Sequence, residues 1–87
     1  MGSYKIEPNN SLEHDLRKID RQFISKILDA IGGLADNPFP VQSRKMKGSE
    51  SSYCLWIGDY RIIYQVDTEN KVVNIYHVRH RRDAYKR

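Results

Sequence analysis

The sequence predicts an α+β fold in which a strand and a helical hairpin pack on one face of an antiparallel sheet (β-α-α-β-β-β-α). The apolar residues between positions 12 and 34 recur at helical spacing, while residues 53–57, 60–66 and 71–78 resemble strands. The short connections "GD" and "DTEN" make these last three strands an antiparallel meander. Chains of 87 residues rarely divide, so residues 1–87 are expected to form one domain.

The first part of the chain predicts a strand at residues 3–6, which stops at Pro8, and then two helices. Asn10 and Glu13 have the spacing of a weak capping box for the first helix, and Asp20 can cap the second. The proline-rich "DNPFP" ends the second helix, residues 41–52 read as a loop, and residues 81–86 as a short final helix. The apolar stripes consist of Leu12, Leu16 and Ile19 in the first helix and Phe23, Ile24, Ile27, Leu28, Ile31 and Leu34 in the second.

Strand alternation assigns the side chains to two faces of the sheet. In the second meander strand Arg61 lies opposite the apolar set that suits the helices, and therefore on the face without them, beside Cys54 or Trp56. In the last strand regular alternation puts His77 with the odd-numbered residues and Val78 on the other face. The remaining assignments are Tyr53, Leu55, Ile57, Tyr60, Ile62, Tyr64 and Val66 toward the helices.

The charge distribution suggests a surface for a polyanion. Fifteen lysines and arginines against eleven acidic residues give a net charge of +4, and five of the basic residues lie within residues 79–87. Arg44, Lys45 and Lys47 form a second basic group. If the two basic groups lie together in the folded protein, they favour nucleic-acid binding. If they lie apart, they serve solubility, and charge alone does not distinguish these two functions.

Other compositional features narrow the class of protein. Cys54 is the only cysteine, which excludes an intramolecular disulfide and a cysteine metal cluster. No apolar run approaches the ~20 residues that span a membrane, and no signal-peptide pattern opens the chain. The expectation is a cytoplasmic protein without a membrane partner.

Two segments, "KMKGSESSYCLWIGDYRIIYQV" and "VVNIYHVRHRRDAYKR", resemble the RelE/ParE toxin superfamily of type II toxin–antitoxin systems, the RelE-like branch above all. The resemblance implies a ribosome-dependent endoribonuclease that cleaves mRNA in the decoding site and is silenced by a cognate antitoxin. Attack of a ribose 2′-OH on the adjacent phosphate would leave a 2′,3′-cyclic phosphate, with no metal or other cofactor. The alternatives are a ParE-like toxin that inhibits DNA gyrase without nuclease activity, and an inactive antitoxin-binding member.

The same resemblance implies roles for individual residues. Arg61 matches the family's strand arginine, which points into the groove, and its guanidinium can hold two phosphoryl oxygens. Arg81 matches the arginine of the C-terminal motif, a role that Arg82 can also take as an RNA-binding residue. Tyr85 matches the C-terminal tyrosine, which stacks on the nucleotide or transfers a proton. RNA-backbone contacts are implied for Lys45 and Lys47.

The sequence departs from the family's pattern at Cys54 and Trp56, where RelE-type enzymes place basic groups. The base that accepts the 2′-OH proton is then expected to be His80, with His77 as the alternative, since imidazole titrates near neutral pH. Trp56 suits stacking on an unpaired base, or belongs to an apolar patch that the antitoxin covers.

Overall fold

The computed structural model describes residues 3–48 and 51–84 and confirms the predicted α+β class. The predicted antiparallel meander is present, and it forms part of a larger five-stranded sheet of order β1-β5-β4-β3-β2. The helices and strands are β1 (Lys5–Pro8), α1 (Asn10–Arg17), α2 (Arg21–Gly33), β2 (Ser43–Lys45), β3 (Ser52–Ile57), β4 (Tyr60–Asp67), β5 (Val72–His80) and α3 (Arg81–Ala84).

Two features of the sheet differ from the sequence-based expectation. The segment read as a loop contains the short strand β2, which pairs antiparallel with β3. The first strand runs parallel to β5, so the sheet is mixed rather than wholly antiparallel. Both differences arise at the sheet edges, where pairing depends on a neighbour distant in sequence and a three- or four-residue strand has little pattern of its own.

Helix α1 begins one residue before the predicted capping box, with Asn9 as its N-cap. The Asn9 side chain accepts a hydrogen bond from the Ser11 N–H at 3.3 Å. Helix α1 follows directly on β1. It therefore lies along the edge of β5 beyond the point where β1 ends. There the Ser11 hydroxyl donates to the Tyr76 carbonyl at 3.0 Å and the Asp15 carboxylate accepts the Val78 N–H at 3.2 Å. The helix thus satisfies backbone groups at an exposed strand edge.

Helix α2 buries Ile27 and Ile31 in the core and ends at its two glycines, while Phe23 and Leu28 of the expected apolar stripe are exposed. A Cβ built on Gly32 or Gly33 would have no heavy atom within 4 Å, so no other segment packs closely against either glycine. The two glycines therefore mark the end of the helix. The core between the helices and the sheet is formed by Leu12, Ile19, Ile27, Ile31, Leu34, Leu55, Tyr60, Ile62, Tyr64, Val66, Val73, Ile75 and Val78.

A β-bulge in β5 changes the predicted faces of that strand. Ile63 pairs with His77 but the next residue, Tyr64, pairs with Ile75, so Tyr76 is the extra residue. As a result Val78 is buried with Val73 and Ile75, contrary to the regular alternation expected from the sequence. Beyond the bulge every side chain of β5 lies on the opposite face from the one that alternation assigns.

No helix within residues 3–48 and 51–84 is both long enough and apolar enough to cross a membrane.

Candidate functional site: a cationic row across the sheet

The candidate site is a row of three side chains on the face of the sheet opposite α2. Trp56 of β3 pairs directly with Arg61 of β4, which pairs in turn with Arg79 of β5. Paired residues of neighbouring strands share a face, so the three side chains lie next to one another. We call this side of the sheet the Arg61 face.

Arg61 is held against the indole of Trp56. Its guanidinium carbon lies 5.9 Å from the ring centroid, within the range of a cation–π contact. The Nε atom is buried and has no hydrogen-bond partner among the described residues. A buried donor without a partner is costly, and here it belongs to a side chain whose other nitrogens can reach a ligand.

Arg79 adds a second positive charge directly opposite Arg61. Like charges at paired positions of a sheet destabilise it, so this arrangement favours an anion bound between the two guanidinium groups. Nη2 of Arg79 lies 3.4 Å from Nδ1 of His77, and that nitrogen also lies 3.0 Å from the Asp15 carboxylate. Both contacts involve Nδ1 of His77, which can donate to Asp15 or accept from Arg79 but cannot do both at once.

Cys54 lies buried beneath this row. Burial raises the pKa of its thiol, and the positive charge of Arg61 and a hydrogen bond from it offset part of that effect. The thiol is therefore neutral at physiological pH and contributes shape rather than charge.

The first basic group is divided between the two faces. Arg44 pairs with Cys54 and so lies on the Arg61 face, whereas Lys45 pairs with Tyr53 on the helix side. Lys47 follows β2 and is exposed. The structure does not bring Lys45 together with Arg61, because β2 is a strand and its successive side chains alternate.

The C-terminal basic residues begin at the end of β5. The Arg81 N–H donates to the Asp59 carbonyl, and the Arg81 guanidinium lies 3.8 Å from the Asp59 carboxylate. Arg82 is exposed, and its backbone N–H donates to Nδ1 of His80 at 3.2 Å. Of the helix predicted over residues 81–86, the described part, Arg81–Ala84, is helical (α3), while Tyr85 lies outside the described residues.

His80 lies on the other face of the sheet from Arg61. It pairs with Tyr60, whose side chain belongs to the core, and the two rings meet edge to face at 5.1 Å between centroids. Of the predicted site residues, the structure therefore brings together Arg61 and Trp56, but it separates His80 and Lys45 from them.

Sequence reasoning counted Arg79 and Arg44 only as members of the two basic groups and assigned neither of them to the site. Regular alternation would have put Arg79 on the helix side, and only the bulge brings it beside Arg61. The sequence contains one sign of the bulge. Val78 is apolar, although regular alternation from Val73 and Ile75 puts it on the opposite face of the strand.

The chemistry of the Arg61 face suits a phosphodiester next to an unpaired base. Two arginines can hold phosphoryl oxygens through paired N–H donors, and the partly exposed Trp56 ring offers a stacking surface. Within the described parts of the chain, no three His, Cys, Asp or Glu side chains lie close enough to hold a metal ion.

Comparison with known proteins decides the family. Residues 6–85 match the family described as the ParE toxin of the type II toxin–antitoxin system parDE. The chain belongs to the RelE/ParE toxin superfamily. Toxin RelG of Mycobacterium tuberculosis is 27% identical over 85 residues, covering 97% of this chain and 98% of the relative. The matching family model is thus named for ParE, whereas this relative is named as a Rel toxin.

Solved structures of RelE-type toxins have the same fold. The archaeal RelE–RelB complex from Pyrococcus horikoshii superposes with a TM-score of 0.80 at 24% identity, covering 91% of this chain and 96% of the other. The M. tuberculosis RelBE2 toxin–antitoxin complex gives a TM-score of 0.77 at 24% identity, covering 91% and 99%. At this level of identity the likeness supports the fold alone.

Proposed function

We propose that this RelE/ParE-superfamily protein is a toxin that cleaves mRNA on the ribosome and is neutralised by a cognate antitoxin. The observation that carries the proposal is the pairing of Arg61 with Arg79 on a sheet face where neither has a carboxylate partner among the described residues. Two adjacent cations of this kind suit a phosphate, and the Trp56 ring beside them suits a base.

In this proposal the reaction is attack of the ribose 2′-OH on the adjacent phosphorus, with departure of the 5′-oxygen and formation of a 2′,3′-cyclic phosphate. Arg61 and Arg79 stabilise the charge that develops on the phosphoryl oxygens. Arg81 or Arg82, and Tyr85, approach the same phosphate from the C-terminal end. Lys47 and Arg44 hold the RNA backbone, while Lys45 makes an outer contact from the other side of the sheet.

The proton of the 2′-OH needs an acceptor. His80 remains the sequence-based choice, but its position across the sheet from Arg61 gives it little support. His77 is better placed, since it lies 3.4 Å from Arg79 and its Nδ1 contacts the Asp15 carboxylate. A carboxylate at Nδ1 stabilises the imidazolium that forms when the ring takes a proton.

A cognate antitoxin is proposed because the solved relatives include complexes of RelE with RelB. This chain also exposes several apolar side chains that such a partner can cover. Val41 is 96% exposed, and Leu28, Phe39 and Trp56 are each more than a third exposed.

The test is primer extension on a defined message, with and without programmed ribosomes. The wild-type protein should produce cuts only when ribosomes are present. Arg61→Ala should lower the cleavage rate about 100-fold, as removal of a transition-state donor does, and Arg61→Lys should restore only part of it. Arg21→Ala, which removes an exposed arginine at the start of α2, is the matched control. Cleavage by folded Arg61→Ala at the wild-type rate would show that the phosphate is not held there.

A gyrase-inhibiting toxin is the second candidate, favoured by the ParE name of the matching family and by the absence of lysines at Cys54 and Trp56. If message stays intact with ribosomes present, a supercoiling assay with purified DNA gyrase should show inhibition.

A further inference from the structure

A second basic cleft lies on the helix side of the sheet, at the end of β5. It has a volume of about 490 Å³ and opens between α1, the end of β5 and the start of α3. Clefts of this size accommodate small ligands of roughly nucleotide dimensions. The proposed cleavage reaction uses Arg79 and, as the alternative to Arg81, Arg82 from its rim, but it uses neither Lys18 nor the apolar floor.

The rim of the cleft carries an excess of positive charge. Lys18, Arg79 and Arg82 line it, and among the described residues none of them has a carboxylate within salt-bridge distance. The one carboxylate in the lining, Asp15, is occupied by the Val78 N–H at 3.2 Å and by His77 at 3.0 Å. The groups left to meet a ligand are therefore mostly cations, which suit a phosphate.

The floor of the cleft is apolar and the imidazole of His80 closes one side. Ile19, Tyr60 and Val78 are buried core residues whose edges form this floor. Nδ1 of His80 accepts the Arg82 N–H, so the neutral ring carries its proton on Nε2 and can donate from there. A cationic rim above an apolar floor with one donor matches the two ends of a nucleotide.

Arg79 borders both the cleft and the Arg61 face. This residue pairs with Arg61 on one side of the sheet and also lines the cleft at the strand end. A strand with a phosphate between Arg61 and Arg79 can therefore pass around the end of β5 and place its next nucleotide in the cleft.

We propose that this cleft binds a nucleoside monophosphate unit, with its phosphate at Lys18 and Arg82 and its base over Ile19 and Val78. As a subsite for a nucleotide next to the reacting phosphate, it rests on the proposed function. His80 lies on the same side of the sheet as the cleft, so in this proposal it contributes to nucleotide binding.

The first test titrates the ¹⁵N-labelled protein with adenosine 5′-monophosphate, adenosine and inorganic phosphate, and follows the amide resonances by NMR. The mononucleotide should shift Ile19, Val78 and His80, and adenosine should bind at least threefold more weakly. Lys18→Ala and Arg82→Ala should each weaken the mononucleotide about threefold to fivefold, the size expected for an exposed ion pair. Lys26→Ala, an exposed lysine on α2, should leave its affinity unchanged.

Equal weakening by Lys26→Ala, or shifts confined to the Arg61 face, would overturn the cleft as a nucleotide site. A second arm uses a 2′-O-methyl trinucleotide, which cannot react. If it shifts the cleft resonances and the mononucleotide does not, the site serves a strand and not a free nucleotide.

The fate of the proposed function is read separately. Suppose that the wild-type protein cuts no message and that the mononucleotide still binds in the cleft of the Arg61→Ala variant. The cleft is then a nucleotide site, and the proposed nuclease activity is refuted. Ribosome-dependent cleavage without any shift in the cleft by either probe would do the reverse.

Discussion

Trp56 occupies a position at which the family's pattern puts a basic group, and it changes how Arg61 is supported. A lysine there would repel the guanidinium, whereas the indole attracts it across a 5.9 Å contact. With Arg79 on its other side, Arg61 has an aromatic face on one flank and a like charge on the other. The ring is therefore expected to fix the direction in which the guanidinium points.

In the proposed cleavage reaction, truncating Trp56 should lower the rate through its effect on Arg61. Trp56→Ala is expected to lower the ribosome-dependent cleavage rate about fivefold to tenfold, as the loss of a partly desolvated cation–π contact implies, and Trp56→Phe should keep most of it. Primer-extension rates measure this. Phe39→Ala, which removes another exposed ring, is the control.

A double mutant separates positioning from base stacking at Trp56. If the ring acts by orienting Arg61, Trp56→Ala should add nothing to the loss caused by Arg61→Ala. Fully additive losses would instead mean that Trp56 contacts the RNA independently.

At the scale of the elements, the bulge in β5 and the turn before that strand decide which side chains reach the site. The turn is held by Asp67, whose carboxylate accepts from Nδ2 of Asn70 at 2.9 Å and from the backbone N–H groups of Asn70 and Glu69 at 3.1 Å each. This turn sets the register of β4 against β5, and with it the pairing of Arg61 and Arg79.

The Asp67 turn gives the stability of the fold a defined pH dependence. The Asn70 side chain and the backbone donors lower the pKa of Asp67. The contribution is therefore fully present above the unfolded-state pKa of about 4 and is lost as the pH falls through the lowered pKa. Asp67→Asn should lower Tm at pH 7 and flatten its fall as the pH drops below about 4. Circular dichroism follows the unfolding.

Glu69→Gln provides the control in the same turn, because no hydrogen bond of the turn depends on its side chain. An Asp67→Asn protein with the wild-type pH profile would mean that other carboxylates produce the acid sensitivity.

On the scale of the whole molecule, Tyr64 links the sheet to the segment that follows α2. Its ring is fully buried and its hydroxyl donates to the Pro38 carbonyl at 2.8 Å. Burial raises the pKa of this phenol, so it remains a donor well above neutral pH. The bond holds the proline-rich connection against the core on the face opposite Arg61.

Removing that hydroxyl should destabilise the fold without touching the site. Tyr64→Phe leaves the Pro38 carbonyl without its partner and should lower the free energy of unfolding by about 1–2 kcal/mol, or roughly 4–16 °C in Tm. Urea denaturation measures the change. Tyr53→Phe removes the same atom from a half-buried ring and should cost less; an equal or larger loss there would contradict a special role for the Tyr64 bond.

The sequence by itself determined the α+β class, the two helices, the meander and the face on which Arg61 lies. These follow from local periodicity, since the 3.6-residue and two-residue patterns of buried side chains are written in neighbouring positions. It left open whether Arg61 lies beside Cys54 or Trp56, and the register of β3 and β4 in the structure puts it opposite Trp56.

Only the tertiary structure decided the strand β2, the parallel edge pair of β1 and β5, and the bulge at Tyr76. Each depends on pairing between segments distant in the chain, which local pattern does not specify. The bulge had the largest consequence, since a single extra residue moved Arg79 to the Arg61 face and left His80 in the cleft behind the sheet. A shift of one residue exchanges the two faces of a strand, and that exchange determined which cations meet.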